Sequence, residues 1–242
     1  MPSFFDANVT ETFTMYSIPH IAGIIALIAV LIGLYASRSA IRNDDRLKRI
    51  VRYGILCSLA VPEIFLYVWY AVNGLWDPRQ TLPLELCSIS AMLAVVMLWR
   101  RSKRLYPFVF FAGIGGAMQA ILTPDLDFPY PYFRFFHFFI VHSSIIIAAL
   151  YMTWIEHMKP TWKSIKYVML GLNAIALFVW FLNTILHSNY MFLMRKPESA
   201  SLLDWLGPHP YYLIAEEVVA LCLFVVMYLL FVALPDRVAN KR

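Results

Sequence analysis

The chain alternates between long apolar runs and short clusters of charge, the rhythm of a polytopic membrane protein. A helix needs about 20 mostly apolar residues to cross roughly 30 Å of hydrocarbon, at about 1.5 Å of rise per residue. Seven runs qualify: Ser17 to Ser37, Val51 to Asn73, Leu82 to Trp99, Leu105 to Thr123, Phe133 to Glu156, Ser164 to His187 and Tyr211 to Leu234. The pattern predicts an all-α fold, a single seven-helix transmembrane domain over residues 1–242.

Composition strengthens that picture. Apolar residues make up 61% of the chain and charged residues 14%, against about 25% charged in a soluble domain, so a disordered chain and a nucleic-acid reader are both excluded. The net charge of +5 matters less than its placement. Of the 20 Lys and Arg, 16 fall in the connections after the first, third and fifth spans and in the tail, among them Arg38, Arg42, Lys48, Arg49, Arg52, Arg101, Lys163, Arg237, Lys241 and Arg242. Basic residues collect on the cytoplasmic side of short loops, which predicts an outside N-terminus and a cytoplasmic C-terminus for a multi-pass protein of the cell membrane.

With that orientation, the polar residues of the spans fall mostly in their outer halves. His20 opens the first span, Glu85, Cys87 and Ser88 open the third, and Gln119, Thr123 and Asp125 close the fourth. His137 and His142 lie early in the fifth, Asn183, His187 and Asn189 close the sixth, and His209, Glu216 and Glu217 lead the seventh. Ionisable groups within a bilayer are expensive and usually face the bundle interior or a wet cavity. Their clustering predicts a polar cavity opening toward the outer leaflet. His20, His209 and Asp125 are close enough to helix ends to reach water instead. Glu63 lies deep in span two beside Pro62, which calls either for a structural partner, a hydroxyl or one of the histidines, or for a chemical role.

Helical spacing sorts these groups further. Arg134, His137 and Val141 share one stripe of span five; Phe135, Phe138 and His142 share another. Counting from Leu82, Cys87 is about 7 Å deep; counting from Phe133, His142 is about 13 Å deep. Asn183 and His187 share a face, as do His209, Tyr212 and Glu216, whereas Glu217 points away. The three cysteines form no disulfide framework. Cys57 and Cys222 have no polar neighbours and read as packing, while Cys87 stands among Glu85, Ser88 and Ser90. A thiol beside an imidazole is the arrangement for attack on an acyl carbon. No metal or other cofactor is expected, since the histidines lack a close ligand spacing.

The segment Leu82-Pro83-Leu84-Glu85-Leu86-Cys87-Ser88, the start of span five ending in His142-Ser143-Ser144, and the run Asn189-Tyr190-Met191-Phe192-Leu193 before Lys196-Pro197 together resemble the YwaF-like bacterial membrane proteins related to transmembrane protein 164. Gly207-Pro208-His209-Pro210 before span seven fits the same pattern. The resemblance implies a bacterial plasma-membrane protein and a cysteine-dependent transfer of fatty acyl chains between phospholipids and lysophospholipids. It implies Cys87 as nucleophile and His142 as base, with His137 the weaker candidate. Glu85 departs from the histidine or other polar residue expected there, and a carboxylate so close works against a thiolate.

The expected chemistry is therefore a lipid acyltransferase or acyl hydrolase acting on outer-leaflet phospholipid. Asn183, Ser88 or a backbone amide would hold the oxyanion, His187 and Glu216 would support the site, and Arg134, Arg195 and Lys196 stand where a lipid phosphate would sit. Two other classes use the same residues differently: a solute-binding receptor or transporter relying on His187, Glu216 and Glu217, and a non-catalytic assembly protein packed through Gly113, Gly116 and Ala117.

Overall fold

In the computed structural model, which describes residues 4–7, 9, 11–197 and 202–234, each of the seven runs is a helix. They are α1 (Ile18–Asn43), α2 (Asp45–Val72), α3 (Leu86–Arg100), α4 (Tyr106–Leu122), α5 (Phe133–Trp154), α6 (Trp162–Leu186) and α7 (Tyr211–Ala233). There is no strand among the described residues. The tail cations Arg237, Lys241 and Arg242 lie outside them.

Helix lengths depart from the expected spans for local reasons. The basic stretch 38–50, expected as a loop, is helical except at Asp44, whose carboxylate accepts the Arg46 and Leu47 amides. It contains neither Gly nor Pro and holds four Arg, all good helix formers, so nothing in it breaks a helix once outside hydrocarbon. At the other extreme, α3 is 15 residues long and starts four residues later than Leu82. Pro83 keeps Leu82 extended, and a tight turn from the Leu84 amide to the Leu82 carbonyl precedes the helix. Five helices are long and apolar enough to cross a membrane; α3 and α4 are the shorter two.

The layout is centred on α5. In its most apolar window 72% of residues are buried, against 11% in α1 and α7. Small residues let its neighbours approach. A methyl group at Gly23 of α1 would meet the Phe139 ring at 2.7 Å, and one at Gly113 of α4 would meet Ile145 at 3.1 Å. Ser58 of α2 and Ser144 of α5 share a hydrogen bond of 2.8 Å. α4 widens to a π-helical turn at Val109–Gly113, placing Phe110 and Phe111 wholly in the core.

His20 is a structural clamp and not an interfacial group. It is fully buried, its Nδ1 accepts the Tyr16 amide at 2.8 Å and its Nε2 donates to the Ile121 carbonyl at 2.8 Å, which ties α1 to the end of α4. His209 and Asp125 are exposed. A lateral apolar cavity of about 850 Å³ opens between α1, α2 and α5, along Ile18, Gly23, Val30, Gly54, Phe139 and Ser143. Neither Cys87 nor His142 lines it.

Candidate functional site

Cys87 is the second residue of α3, in the first helical turn. The later start of the helix removes most of the depth expected for the thiol. Glu85 is the N-cap, but its side chain makes no cap hydrogen bond. The first amides of an α-helix have no intrahelical partner. Those of Leu86, Cys87 and Ser88 have no partner among the described residues, and the helix dipole adds positive potential there. The thiol is half-buried and faces α4, where a methyl group at Gly116 would stand 3.5 Å from its sulfur.

The Glu85 carboxylate turns instead to the connection between α6 and α7, accepting the Met191 amide at 3.0 Å. The two loops over Cys87 are joined at several points. Tyr190 donates its hydroxyl to the Pro78 carbonyl and accepts the Leu82 amide, both at 2.9 Å. Asn183 holds Tyr190 from below: its Oδ1 accepts the Tyr190 amide at 2.9 Å and the Ser188 hydroxyl at 2.8 Å, while its Nδ2 donates to the Tyr190 carbonyl at 2.9 Å. The Tyr212 hydroxyl donates to the Phe192 carbonyl. Met191 and Phe192 adopt left-handed backbone, with φ of 56° and 51°, a strained choice for side chains of this size. Burial pushes the Tyr190 hydroxyl above its ordinary titration range. Asn183 is thus largely committed to this cap, and His187 is exposed as the left-handed C-cap of α6.

His142 lies on α5 at the same depth as Cys87. A methyl group at Gly113 would touch both Ile145 and Ser90, at 3.1 and 3.6 Å, which places these three residues in one layer. α3 and α5 run in one direction and α4 in the other, so one turn toward the helix ends lie Cys87, Gly116 and His142. Among the described residues no hydrogen bond joins the thiol to the imidazole. The His142 Nδ1 donates to the Phe138 carbonyl at 2.7 Å, and the ring lies tilted by 36° against that of Phe138, centroids 4.2 Å apart. That bond assigns the ring proton to Nδ1 and leaves Nε2 as the unclaimed acceptor. In the layer below, the Ser90 hydroxyl is buried with no partner.

His137 serves a different group. Its Nε2 is 3.3 Å from Glu63 Oε1, off the axis of a good hydrogen bond, and its Nδ1 is 3.4 Å from Arg134. Arg134 also lies over the Tyr70 ring at 5.7 Å. The partner required by Glu63 is therefore His137. Glu216 is half-buried on α7, while Glu217 bonds Asn173 of α6 at 2.9 Å, which separates the two carboxylates as their spacing implied. Lys196 is 4.0 Å from Asp204 and above Tyr212, whereas the Arg195 side chain is exposed. Cys57 and Cys222, expected as packing, are instead exposed on the surface of the bundle. No cluster able to hold a metal occurs among the described residues.

Sequence reasoning missed Asn173 and the role of Tyr190, and named a backbone amide without locating it at the start of α3. Pro83 signalled the late helix start that exposes the first amides; the run containing Tyr190 gave no sign of its hydroxyl's partners, which are backbone atoms more than 100 positions away. No match was found among curated proteins. None was found among solved structures either. The sequence does match the TMEM164 family over residues 15–228, from before α1 to the last α-helical turn of α7, and this multi-pass membrane protein belongs to that family.

Proposed function

We propose that the protein transfers fatty acyl groups through Cys87, acting on phospholipid of the outer leaflet of a bacterial plasma membrane. The observation that carries this reading is the position of the thiol in the first turn of its own helix, beside amides with no partner among the described residues, and level with an imidazole whose Nε2 is unclaimed. Backbone amides at a helix N-terminus are preorganised donors for developing negative charge. The prevalence of basic residues at the opposite helix ends supports an orientation with Cys87 outside.

In the first step the Cys87 thiol gives its proton to His142 Nε2 and its sulfur bonds to the ester carbonyl carbon. The carbonyl oxygen takes the negative charge against the Leu86, Cys87 and Ser88 amides. The carbon–oxygen bond to the glycerol then breaks, and the proton on His142 passes to the departing lysolipid oxygen. The product is a Cys87 thioester. In the second step a lysolipid hydroxyl, or water, gives His142 its proton, attacks the thioester carbon and releases the thiol. The sulfur and Nε2 must come within hydrogen-bond range, or one water apart, once lipid is bound. Arg195, whose side chain is exposed, takes the headgroup phosphate, while Arg134 is engaged by His137 and Tyr70.

The test is incubation of purified protein with phospholipid carrying a radiolabelled acyl chain. A hydroxylamine-sensitive label retained by the native protein and lost in both Cys87→Ala and His142→Ala supports the reading. Equal labelling in Cys87→Ala removes that residue from the chemistry. Stabilisation by a small solute with no label on any variant points to a receptor or transporter.

A further inference from the structure

The end of the bundle farthest from Cys87 holds a second site that acyl transfer does not use. The junction of α1 and α2, the start of α2 and the end of α3 enclose a pocket of about 310 Å³ lined by Asp45, Lys48, Arg49, Arg52 and Arg101. Four of the five are cationic. Arg52 is only 8% exposed, and its Nε is buried with no hydrogen-bond partner among the described residues. A buried guanidinium N–H without an acceptor is rare, and each such group calls for an explanation.

The neighbouring carboxylates do not supply that acceptor. Glu156 lies 3.3 Å from Lys48 and a distant 4.0 Å from Arg52 Nη1, and it is also shared with the Tyr151 hydroxyl. Asp45 is exposed. Arg49 and Arg101 have no ion pair among the described residues, and Arg101 holds a left-handed backbone, φ 50°, at the C-cap of α3. Counting Glu156 with the lining residues leaves an excess of two positive charges on one concave surface.

We infer that this pocket binds a phosphate-bearing anion, with the Arg52 Nε–H and the Arg101 guanidinium as directional donors and Lys48 and Arg49 supplying charge. Guanidinium groups pair with the tetrahedral oxygens in fork geometry, and lysine ammonium acts as a point charge beside them. The same chemistry is offered by a phospholipid headgroup of the adjacent leaflet and by soluble phosphate.

Protein in phosphatidylcholine nanodiscs is titrated with inorganic phosphate at constant ionic strength, with chloride as control. A second preparation, free of phosphate, contains phosphatidic acid, and native mass spectrometry reads lipid retention. Arg49→Gln and Arg101→Asn are the informative variants: both side chains are exposed, and Asn tolerates the left-handed backbone. Saturable phosphate binding weakened at least tenfold in the variants supports a soluble ligand. Phosphatidic acid retained by the native protein and lost in the variants supports a headgroup. The inference is overturned if neither probe binds, or if binding is unchanged in both variants. Acyl labelling at Cys87 is expected to persist in both, so the two proposals fail independently.

Discussion

The two ends of the bundle solve the same problem in opposite ways. At the Cys87 end, loops are held mainly by neutral hydrogen bonds to backbone atoms, beside the single Glu85 contact to Met191: Asn183 to the amide and carbonyl of Tyr190, Tyr190 to Pro78 and Leu82. At the other end, helices run past the hydrocarbon and are joined through charge, Lys48 and Arg52 on Glu156 and Arg42 donating to the Trp154 carbonyl at 2.7 Å. Neutral bonds to backbone keep a surface in one shape without a strong field. An excess of cations produces a field that attracts ligands but contributes little rigidity. A chemical site needs the former, and an anion site tolerates the latter.

The sharpest way to break this contrast is at the thiol. Cys87→Ala is expected to abolish the hydroxylamine-sensitive acyl label, and His142→Ala to slow its formation by about 10²–10⁴, the usual contribution of a general base. Neither is expected to alter phosphate retention at the far end. Loss of both properties in Cys87→Ala, read side by side, would mean that the two ends do not act separately.

Next in size is the cap itself. Asn183→Ala strands the Tyr190 amide and carbonyl, each a buried group whose lost partner costs roughly 1–3 kcal/mol. A total loss of about 2–6 kcal/mol is expected in reversible unfolding in detergent, with faster proteolysis between 187 and 197. Tyr190→Phe removes one donated and one accepted bond and is expected to cost about 1–2 kcal/mol. The Tyr190 hydroxyl also provides a pH test. Its ionisation is pushed up in the folded state by burial, then by the Glu85 and Asp77 carboxylates. Its contribution is therefore fully present below the unfolded value of about 10 and is lost as pH rises toward the folded value. Above about pH 10 the native protein is expected to lose stability that Tyr190→Phe does not lose.

The helices were legible in the sequence because apolar runs and their spacing are local properties. α5 begins at Phe133 and α7 at Tyr211, as the pattern alone indicated. Helix ends outside lipid were not, since the stretch 38–50 carries no breaker and its charges say nothing about where helix stops. Stripes on α5 translated directly into contacts, Arg134 with His137 and Phe138 with His142. The Glu63–His137 pairing was legible only as a need, because the partner is set by packing across helices. The cap was hardest to read. Its bonds end on backbone atoms, which every residue has, so the Tyr190 side chain gives no clue that Pro78 and Leu82 receive it.

The smallest expected effect separates the two ends most cleanly. The Lys48–Glu156 pair is 3.3 Å long with side chains 24% and 10% exposed, and partly exposed pairs contribute about 0–1 kcal/mol. Lys48→Gln is thus expected to cost less than about 1 kcal/mol, and Glu156 keeps the Tyr151 hydroxyl as a partner. Salt is the discriminating variable. At about 1 M salt the screening length falls to roughly 3 Å, so the difference between native protein and Lys48→Gln should disappear in thermal unfolding. The cost of Asn183→Ala should persist under the same conditions, because its bonds are neutral and buried. If the Asn183→Ala cost also vanished with salt, charge rather than backbone hydrogen bonding would be holding the loops over Cys87.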